Sequence, residues 1–488
     1  SSISGTNVAV SAANDVVLAG TFNSGNGNIS LNGANITGSA DMTANSLVMN
    51  AVSGSIGSSS ALNLSGTIGE ITATAQNSVN ISKSGDFNIK DINAGGNISL
   101  ATTNSGNIGI NGTVSTTSGT VNIDSAGKIT QTGSGRAVNA TGDITLKSAG
   151  EIANADSSLK FNVNSPGKVN IESGGNVNLG TLAGDSIKLG EITLNSSDFN
   201  YSGSNIVIED NITANNVSFT DFTSFEQKTG TTVKANGASG NILLDGTGNA
   251  VLNGLLQATN GKVTVNAGNI TSTAAKAIDA KSIELVSTGS IGSGSALNIA
   301  ASDSITAQSA AGMQLNSLSS TTRFGELKNT TSGDIAVTTA GNATFAAVTN
   351  TNGNISLGKN GSTGNYTLGG LVDGKNVAIT TAGAVTSALA KAINAENITI
   401  AAGSVGSASQ ALNLAAGGSV DVTGTNGINI NSVDSNINVT NAVSSNGAVT
   451  ITASGSDSNM TFENVSAKED ITLTNNTNGL IKLGDLAV

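Results

Sequence analysis

The sequence contains no Cys, no His and no Trp, and it has a single Pro among 488 residues. Without His or Cys there is no imidazole base, no thiol nucleophile and no disulfide, and the usual ligands of zinc and haem iron are missing. The absence of Cys from a chain this long is compatible with an export route or an extracellular location. We therefore expect no cofactor, no bound metal and no enzymatic activity.

Bulky and charged side chains are also scarce. Aromatic residues make up 2% of the chain and charged residues 11%, against a globular norm of about 25% charged. A chain of this length normally forms several domains of about 100–200 residues, but there is little here to fill thick cores. The modest net charge of −12 and the many β-branched residues argue against disorder. The 62 Gly follow no three-residue period, which excludes collagen.

Only two of the 20 basic residues are Arg, and 32 acidic residues outnumber them all, so we expect no nucleic-acid partner. No apolar run reaches the length of a membrane-spanning helix, and we expect no membrane insertion by this segment. The N-terminal sequence Ser-Ser-Ile-Ser-Gly lacks the basic and apolar regions of a secretion signal. The sequence begins and ends in mid-pattern, which predicts that residues 1–488 are one continuous segment of a larger protein.

A five-residue phrase recurs along the chain. It consists of a Gly or other turn residue, then Asn, Asp or Lys, and then an apolar-polar-apolar triplet. Alternation with period two after a turn residue predicts a short strand with one buried face. Examples are Gly27–Leu31, Gly96–Leu100, Gly142–Leu146, Gly261–Val265 and Gly353–Leu357.

The first apolar residues of these phrases recur at a nearly constant distance. Val79, Ile98, Val121, Ile144 and Val169 are 19, 23, 23 and 25 residues apart. Toward the C-terminus the steps are 20, 22, 21, 22, 29 and 22, for the series Ile335, Ile355, Val377, Ile398, Val420, Val449 and Ile471. A period of this length without helical spacing indicates a solenoid whose coils consist of strands and turns.

The composition selects among solenoids. The leucine framework of leucine-rich repeats is missing, and no window has the apolar spacing of an α-solenoid. The remaining class is an all-β parallel β-helix (β-solenoid), in which like residues stack from coil to coil. Gly and Asn suit its corners because they tolerate positive φ, and Asn can form ladders with Asn above and below. We predict about 22 coils of about 22 residues, forming an elongated rod on the order of 100 Å long.

The sequence also contains a repeat that is longer than one coil. Four related blocks start at Ile36, Ile129, Ile270 and Val385, which are 93, 141 and 115 residues apart. Three of them contain a Gly-Ser-Ile/Val-Gly phrase followed by Ala-Leu-Asn-Leu/Ile. Duplicated blocks of coils lengthen a solenoid without adding chemistry, and this favours a structural function.

The Gly-Asn-Ile-x-Leu phrases, these blocks and the Cys-free, Asn/Ser/Thr/Gly-rich composition resemble the repeat shafts of filamentous-haemagglutinin-like exoproteins. These are large bacterial adhesins exported by two-partner secretion, and the resemblance of repeat style covers essentially the whole chain. It implies a right-handed, three-faced β-helix that is secreted or displayed on the bacterial surface. It also implies an outer-membrane secretion partner, although the family's N-terminal secretion domain has no counterpart in this sequence.

Five of the twelve aromatic residues fall within 27 positions, and they are the candidate ligand or partner contacts. Such rings can stack on sugars or anchor a protein partner, or they can fill one wider coil of the core. The last three break strand alternation, which predicts an irregular coil or protrusion within 195–235. The five are Phe199, Tyr201, Phe219, Phe222 and Phe225.

Two further patterns have both a functional and a plain interpretation. Asn-x-Ser/Thr triplets, such as those at Asn97 and Asn354, are acceptors for glycosylation or simply a result of composition. The acidic pairs Glu209-Asp210 and Glu469-Asp470 are calcium contacts or solvated faces.

The leading functional hypothesis is a structural and adhesive rod that attaches to host cells, matrix or other bacteria through an unidentified protein or glycan receptor. An alternative is the shaft of a biofilm-matrix or contact-dependent toxin-delivery protein. A polysaccharide-cleaving β-helix is disfavoured because Arg136 and Arg323 have no acidic cluster beside them in the sequence. Ice binding is disfavoured because Thr72-Ala73-Thr74 is not repeated coil after coil.

Overall fold

The computed structural model describes residues 2–360, 364–434 and 436–487. Every regular element in these residues is a β-strand, and the strands pair in parallel into a β-solenoid of about 23 turns with a spacing of about 21 residues. The all-β parallel β-solenoid and its coil length are therefore confirmed. The described residues contain no helix long and apolar enough to cross a membrane.

The chain divides into two compact units, Ser1–Gly248 and Asn249–Val488, which we call unit 1 and unit 2. The division falls within strand β26, Ile242–Leu252. The preceding strands belong to unit 1: β1 Ser2–Ser4, β2 Val8–Ser11, β3 Val16–Asn23, β4 Asn28–Gly33, β5 Ile36–Ala51, β6 Leu62–Ser65, β7 Ile68–Ala75, β8 Val79–Ser84, β9 Phe87–Ala94, β10 Ile98–Thr103, β11 Ile108–Thr116, β12 Val121–Ser125, β13 Ile129–Gln131, β14 Val138–Asn139, β15 Ile144–Ser148, β16 Ile152–Asn154, β17 Phe161–Asn164, β18 Lys168–Ser173, β19 Val177–Gly180, β20 Ser186–Leu194, β21 Phe199–Ser202, β22 Asn205–Ile208, β23 Ile212–Ala214, β24 Val217–Gln227 and β25 Thr232–Ala235.

The strands of unit 2 follow the same plan. They are β27 Leu255–Ala267, β28 Ile270–Thr271, β29 Ile278–Ser287, β30 Leu297–Ser309, β31 Met313–Ser317, β32 Thr321–Asn329, β33 Ile335–Thr339, β34 Asn342–Asn350, β35 Ile355–Lys359, β36 Tyr366–Leu368, β37 Val372–Thr380, β38 Ala384–Thr386, β39 Ile393–Ala402, β40 Ser404–Val405, β41 Leu412–Ala416, β42 Ser419–Gly424, β43 Ile428–Ser432, β44 Ile437–Ser444, β45 Val449–Ala453, β46 Met460–Ala467, β47 Ile471–Asn475 and β48 Ile481–Ala487.

The column of apolar residues expected in unit 1 is present. Val79 pairs with Ile98, which pairs with Val121, and the ladder continues through Ile144 to Val169. All five side chains are buried, with exposed fractions of 1% or less. The steps of 19, 23, 23 and 25 residues are therefore single coils whose length differences are absorbed by the turns.

Two more columns complete the core in this part of unit 1. One passes through Ile108, Ile129 and Ile152, and the other includes Val114 and Val138. Each coil thus contributes three inward strand segments, and aliphatic side chains are enough to fill the space between them. A core one coil wide needs few aromatic residues, as the composition indicates.

In unit 2 the predicted column is correct up to one step. Ile335, Ile355, Val377 and Ile398 pair in succession, and Val420 follows Ile398. The next step was predicted to lead to Val449, and this is wrong. Val420 pairs with Val439, whereas Val449 pairs with Ile428 on another face. The step of 29 residues was anomalous because it joined two different columns.

Buried hydroxyl groups close one corner of the coils. Ser125, Ser148 and Ser173 are stacked in register and are nearly inaccessible to solvent. The Ser148 hydroxyl donates to the Gly127 carbonyl of the preceding coil at 2.8 Å and accepts the Gly150 amide at 3.3 Å. This Ser-x-Gly turn satisfies polar groups that would otherwise be buried without partners.

Asparagine ladders run outside the core, as expected. The side-chain amide of Asn376 donates to Asn354 Oδ1, and that of Asn397 donates to Asn376 Oδ1, each at 2.8 Å. Elsewhere the same side chain caps the next coil, as where the Thr120 amide donates to Asn97 Oδ1 at 2.9 Å. The Asn and Asp residues of the turns therefore link successive coils.

Three of the four duplicated blocks share one backbone feature. Gly57, Gly292 and Gly406 have φ of 67°, 70° and 66°. A Cβ atom at each would lie 2.2–2.3 Å from a carbonyl oxygen of the next coil. Only Gly fits this turn. The second block has Ala153 at the equivalent position, and Ala153 lies in a strand.

Candidate functional site

The five clustered aromatic side chains lie inside unit 1. Each has an exposed fraction of 1% or less. The ring centroids of Phe199 and Phe219 are 5.8 Å apart, those of Phe219 and Phe225 are 5.3 Å apart, and those of Phe222 and Phe225 are 5.6 Å apart. The structure brings all five together as one core cluster. They offer no surface to a ligand, because the rings pack on one another and on neighbouring coils.

The three Phe residues of β24 show why alternation fails there. Asp221, between Phe219 and Phe222, has a φ of 62°. This left-handed residue turns a corner within the strand, and it changes which positions point inward. Phe219 pairs with Tyr201 on one face, whereas Phe225 pairs with Ile206 on the next. Residues 217–227 therefore form a bent strand whose aromatic side chains remain in the core.

Burial also keeps the Tyr201 hydroxyl protonated. Its hydroxyl lies 2.9 Å from the Thr181 hydroxyl. Loss of solvation raises the pKa of the Tyr201 hydroxyl well above its ordinary value. The side chain thus remains neutral and hydrogen-bonded in the core, and its role is packing.

The other patterns of the sequence lie on the surface. Asn97 Oδ1 accepts the Thr120 amide, so this triplet takes part in coil-to-coil bonding. Asp210 forms an ion pair with Lys168 at 2.7 Å, and this contact raises the pKa of the Lys168 ammonium group. No group of three or more acidic residues able to hold a metal ion occurs within residues 2–360, 364–434 and 436–487.

A surface groove of about 740 Å³ is present in unit 1, and we call it the unit 1 groove. It extends over four successive coils, from β12 to the segment after β20. Polar side chains and small residues both line it. The residues that define it are Asp124, Lys147, Ala149, Glu172, Glu191 and Thr193.

One wall of the groove is a column of outward side chains. Asp124 pairs with Lys147, Lys147 with Glu172, and Glu172 with Thr193. The Lys147 ammonium group lies 3.2 Å from a Glu172 carboxylate oxygen, and both side chains are more than half exposed. An ion pair this exposed adds little stability. Its charged groups remain accessible to a ligand.

The Ser-x-Gly corners contribute small residues to the groove. Ala126, Ala149 and Gly174 follow the stacked Ser residues and line the groove. A Cβ atom on Gly174 would lie 2.3 Å from the Ala149 carbonyl oxygen, so a larger residue does not fit there without movement. Small residues at successive corners leave the concavity.

A bulge in β20 builds the far wall. Val169 pairs with Leu189, but Ile171 pairs with Ile192, so two residues oppose Asn170. The Glu191 amide donates to Asn170 Oδ1 at 3.0 Å, which fixes the bulge. A Cβ atom on Gly190 would lie 2.1 Å from the same oxygen. The bulge leaves the Glu191 side chain exposed at the groove.

The groove is acidic. Three carboxylates, those of Asp124, Glu172 and Glu191, face one ammonium group, that of Lys147, which gives a formal charge of −2. Within the described residues, the carboxylates of Asp124 and Glu191 have neither a hydrogen bond nor an ion pair. They are available as hydrogen-bond acceptors.

Sequence reasoning missed this groove. A signal existed, because Asp124, Lys147 and Glu172 each lie three residues after a residue of the predicted column. Its concavity depends on the bulge at Gly190 and on the corner residues, which no periodicity shows. Comparison with family models, with curated proteins and with solved structures gives no match for this chain.

Proposed function

We propose that this chain is a structural and adhesive segment of a secreted or surface-anchored bacterial exoprotein. In this proposal it attaches to host cells, matrix or other bacteria, and it performs no catalysis. The repeat style that resembles filamentous-haemagglutinin-like shafts supports this function. The same resemblance supports an outer-membrane secretion partner and an extracellular location.

The observation that carries the proposal is that the inward and outward positions of each strand have different side chains and different roles. In β12 and β15 the inward positions are apolar or hydroxyl side chains in the core, and the outward positions are exposed Asn, Asp, Thr and Lys. The backbone and the inward residues hold the coils together. The outward residues are therefore free to differ from coil to coil, and in each unit they are available for contacts.

An attachment assay tests this function. Beads coated with the folded protein are applied to epithelial cells, to immobilised matrix proteins and to bacteria, and the bound beads are counted. Beads coated with urea-unfolded protein are the control. We expect the folded protein to raise attachment to at least one of these surfaces above the control. Equal attachment of the two bead preparations to all three surfaces would argue against adhesion.

A further inference from the structure

We infer that the unit 1 groove binds a linear glycan that carries no anionic groups. The inference rests on the adhesive function proposed above and adds the chemical class of the ligand. Three properties of the groove support it: the pairing of its backbone, the arrangement of its polar side chains and its charge.

The backbone of the groove is already used. Strands β12, β15, β18 and β20 pair with one another in sequence, so their amide and carbonyl groups bond along the coil stack. An extended peptide binds most readily by adding a strand to a free edge. No such edge exists along this groove, and a ligand must be recognised by side chains.

The side chains of the groove suit hydroxyl groups. Asp124 and Glu191 provide acceptors, the Lys147 ammonium group is a donor, and the hydroxyls of Thr145 and Thr193 do both. A sugar ring presents several hydroxyls that donate and accept in the same way. The groups recur once per coil, about every 4.8 Å. This interval is similar to the length of a pyranose unit in an extended chain.

The small corner residues leave room for a flat ring. Ala126, Ala149 and Gly174 project little, so the C–H face of a sugar can lie close to the surface while its hydroxyls reach the walls. The groove is open and has no aromatic side chain among its lining residues. We therefore expect each single groove to bind its glycan with low affinity. Many copies of the protein on one surface would then be needed for firm attachment.

Charge excludes acidic glycans. The formal charge of −2 at the groove repels sulfate and uronate groups, and the protein as a whole carries −12. The same repulsion disfavours nucleic acids. Neutral hexose and N-acetylhexosamine chains avoid this cost.

The test compares two matched variants on an array of neutral and anionic oligosaccharides, followed by titration of the strongest binder. Ala149→Tyr fills the groove at the Ser148-Ala149-Gly150 corner. The control is Ala382→Tyr, which adds the same side chain to the exposed residue of the Thr381-Ala382-Gly383 corner in unit 2. Urea unfolding of both variants shows whether each is folded.

We expect the wild-type protein to retain neutral oligosaccharides in preference to heparin-derived and polygalacturonate fragments. Ala149→Tyr should raise the Kd for the neutral oligosaccharide by at least about tenfold, whereas Ala382→Tyr should leave the Kd unchanged. A second variant, Glu191→Lys, reverses one charge without filling the groove, and it should raise retention of the anionic fragments.

Three results would overturn the inference: retention of anionic fragments alone, no retention of any neutral glycan, or an equal loss in both Tyr variants. Failure here is separable from failure of the adhesive function. Beads that attach to cells while the array stays empty would leave adhesion standing and remove the glycan. Glycan binding on the array without attachment of the beads would leave the glycan site standing and remove the adhesive function.

Discussion

The Phe199 and Phe219 rings lie in successive coils of unit 1, with their centroids 5.8 Å apart and their planes at 66°. This edge-to-face contact joins two coils through the core. The cluster that looked most like a binding site in the sequence is therefore a packing feature, and its replacement should affect folding.

Phe219→Ala should destabilise unit 1 by about 3–5 kcal/mol, because the ring is fully buried and touches three others. Urea denaturation followed by circular dichroism measures the loss. Ser218→Ala, at the neighbouring partly exposed position, should change little. Equal unfolding midpoints for the two variants would contradict the assignment of the ring to the core.

In unit 2, Ile355 and Ser356 test the direction of the side chains. Ile355 is 1% exposed and Ser356 is exposed. Ile355→Asp should cost at least about 3 kcal/mol because a charge enters the core, and Ser356→Asp should cost less than about 0.5 kcal/mol. Thermal melts of both variants measure the difference. Similar melting temperatures would refute the register.

The absence of Cys allows a direct test of stacking. Ala336 pairs with Ser356, and Ser356 pairs with Ala378 one coil further on. Paired residues lie about 4.8 Å apart, within the Cα separation of about 4.4–6.8 Å that a disulfide needs. Ala336→Cys with Ser356→Cys should cross-link under mild oxidation, whereas Ala336→Cys with Ala378→Cys should not. Mobility on non-reducing gels shows whether a cross-link lies within the monomer. Cross-linking of the second pair within the monomer would contradict the coil assignment.

Lys83 is the one Lys side chain that the core encloses among the described residues, with 2% exposure. Its Nζ donates to the Gly66 and Ser84 carbonyls at 2.8 and 2.5 Å. Burial lowers the pKa of Lys83 from 10.5, and the charges of Asp86 and Asp41 oppose this only in part. The neutral amine still has two protons for its two acceptors.

This geometry gives a signed pH dependence. Between the lowered folded pKa and the unfolded value of 10.5, the unfolded state binds more protons at Lys83, so stability rises with pH in that window. The free energy of unfolding of wild type minus that of Lys83→Met should therefore increase as the pH approaches 10.5 from below. Urea titrations at pH 7 and pH 10 measure it. A constant or falling difference would show that Lys83 is solvated in the folded state.

Some features of the fold and of the groove follow from residue patterns alone, and others depend on local backbone geometry. Stacking requires only period-two strands and a steady coil length, so the column from Val79 to Val169 and the inward position of Ile355 were predictable. The wrong step to Val449 arose because strands on different faces have the same pattern, and spacing alone does not distinguish the faces. The aromatic cluster was hard to interpret because Asp221 turns a corner within a strand. The unit 1 groove depends on a bulge, and no pattern of residue types specifies it.

We propose that the protein attaches to surfaces through outward side chains of the solenoid, at the unit 1 groove. Bead attachment to cells by wild type, Ala149→Tyr and Ala382→Tyr tests it most directly, since the Tyr variants add the same side chain inside and outside the groove. We predict that Ala149→Tyr loses most of the attachment and that Ala382→Tyr keeps it. Equal attachment by all three proteins would contradict the claim.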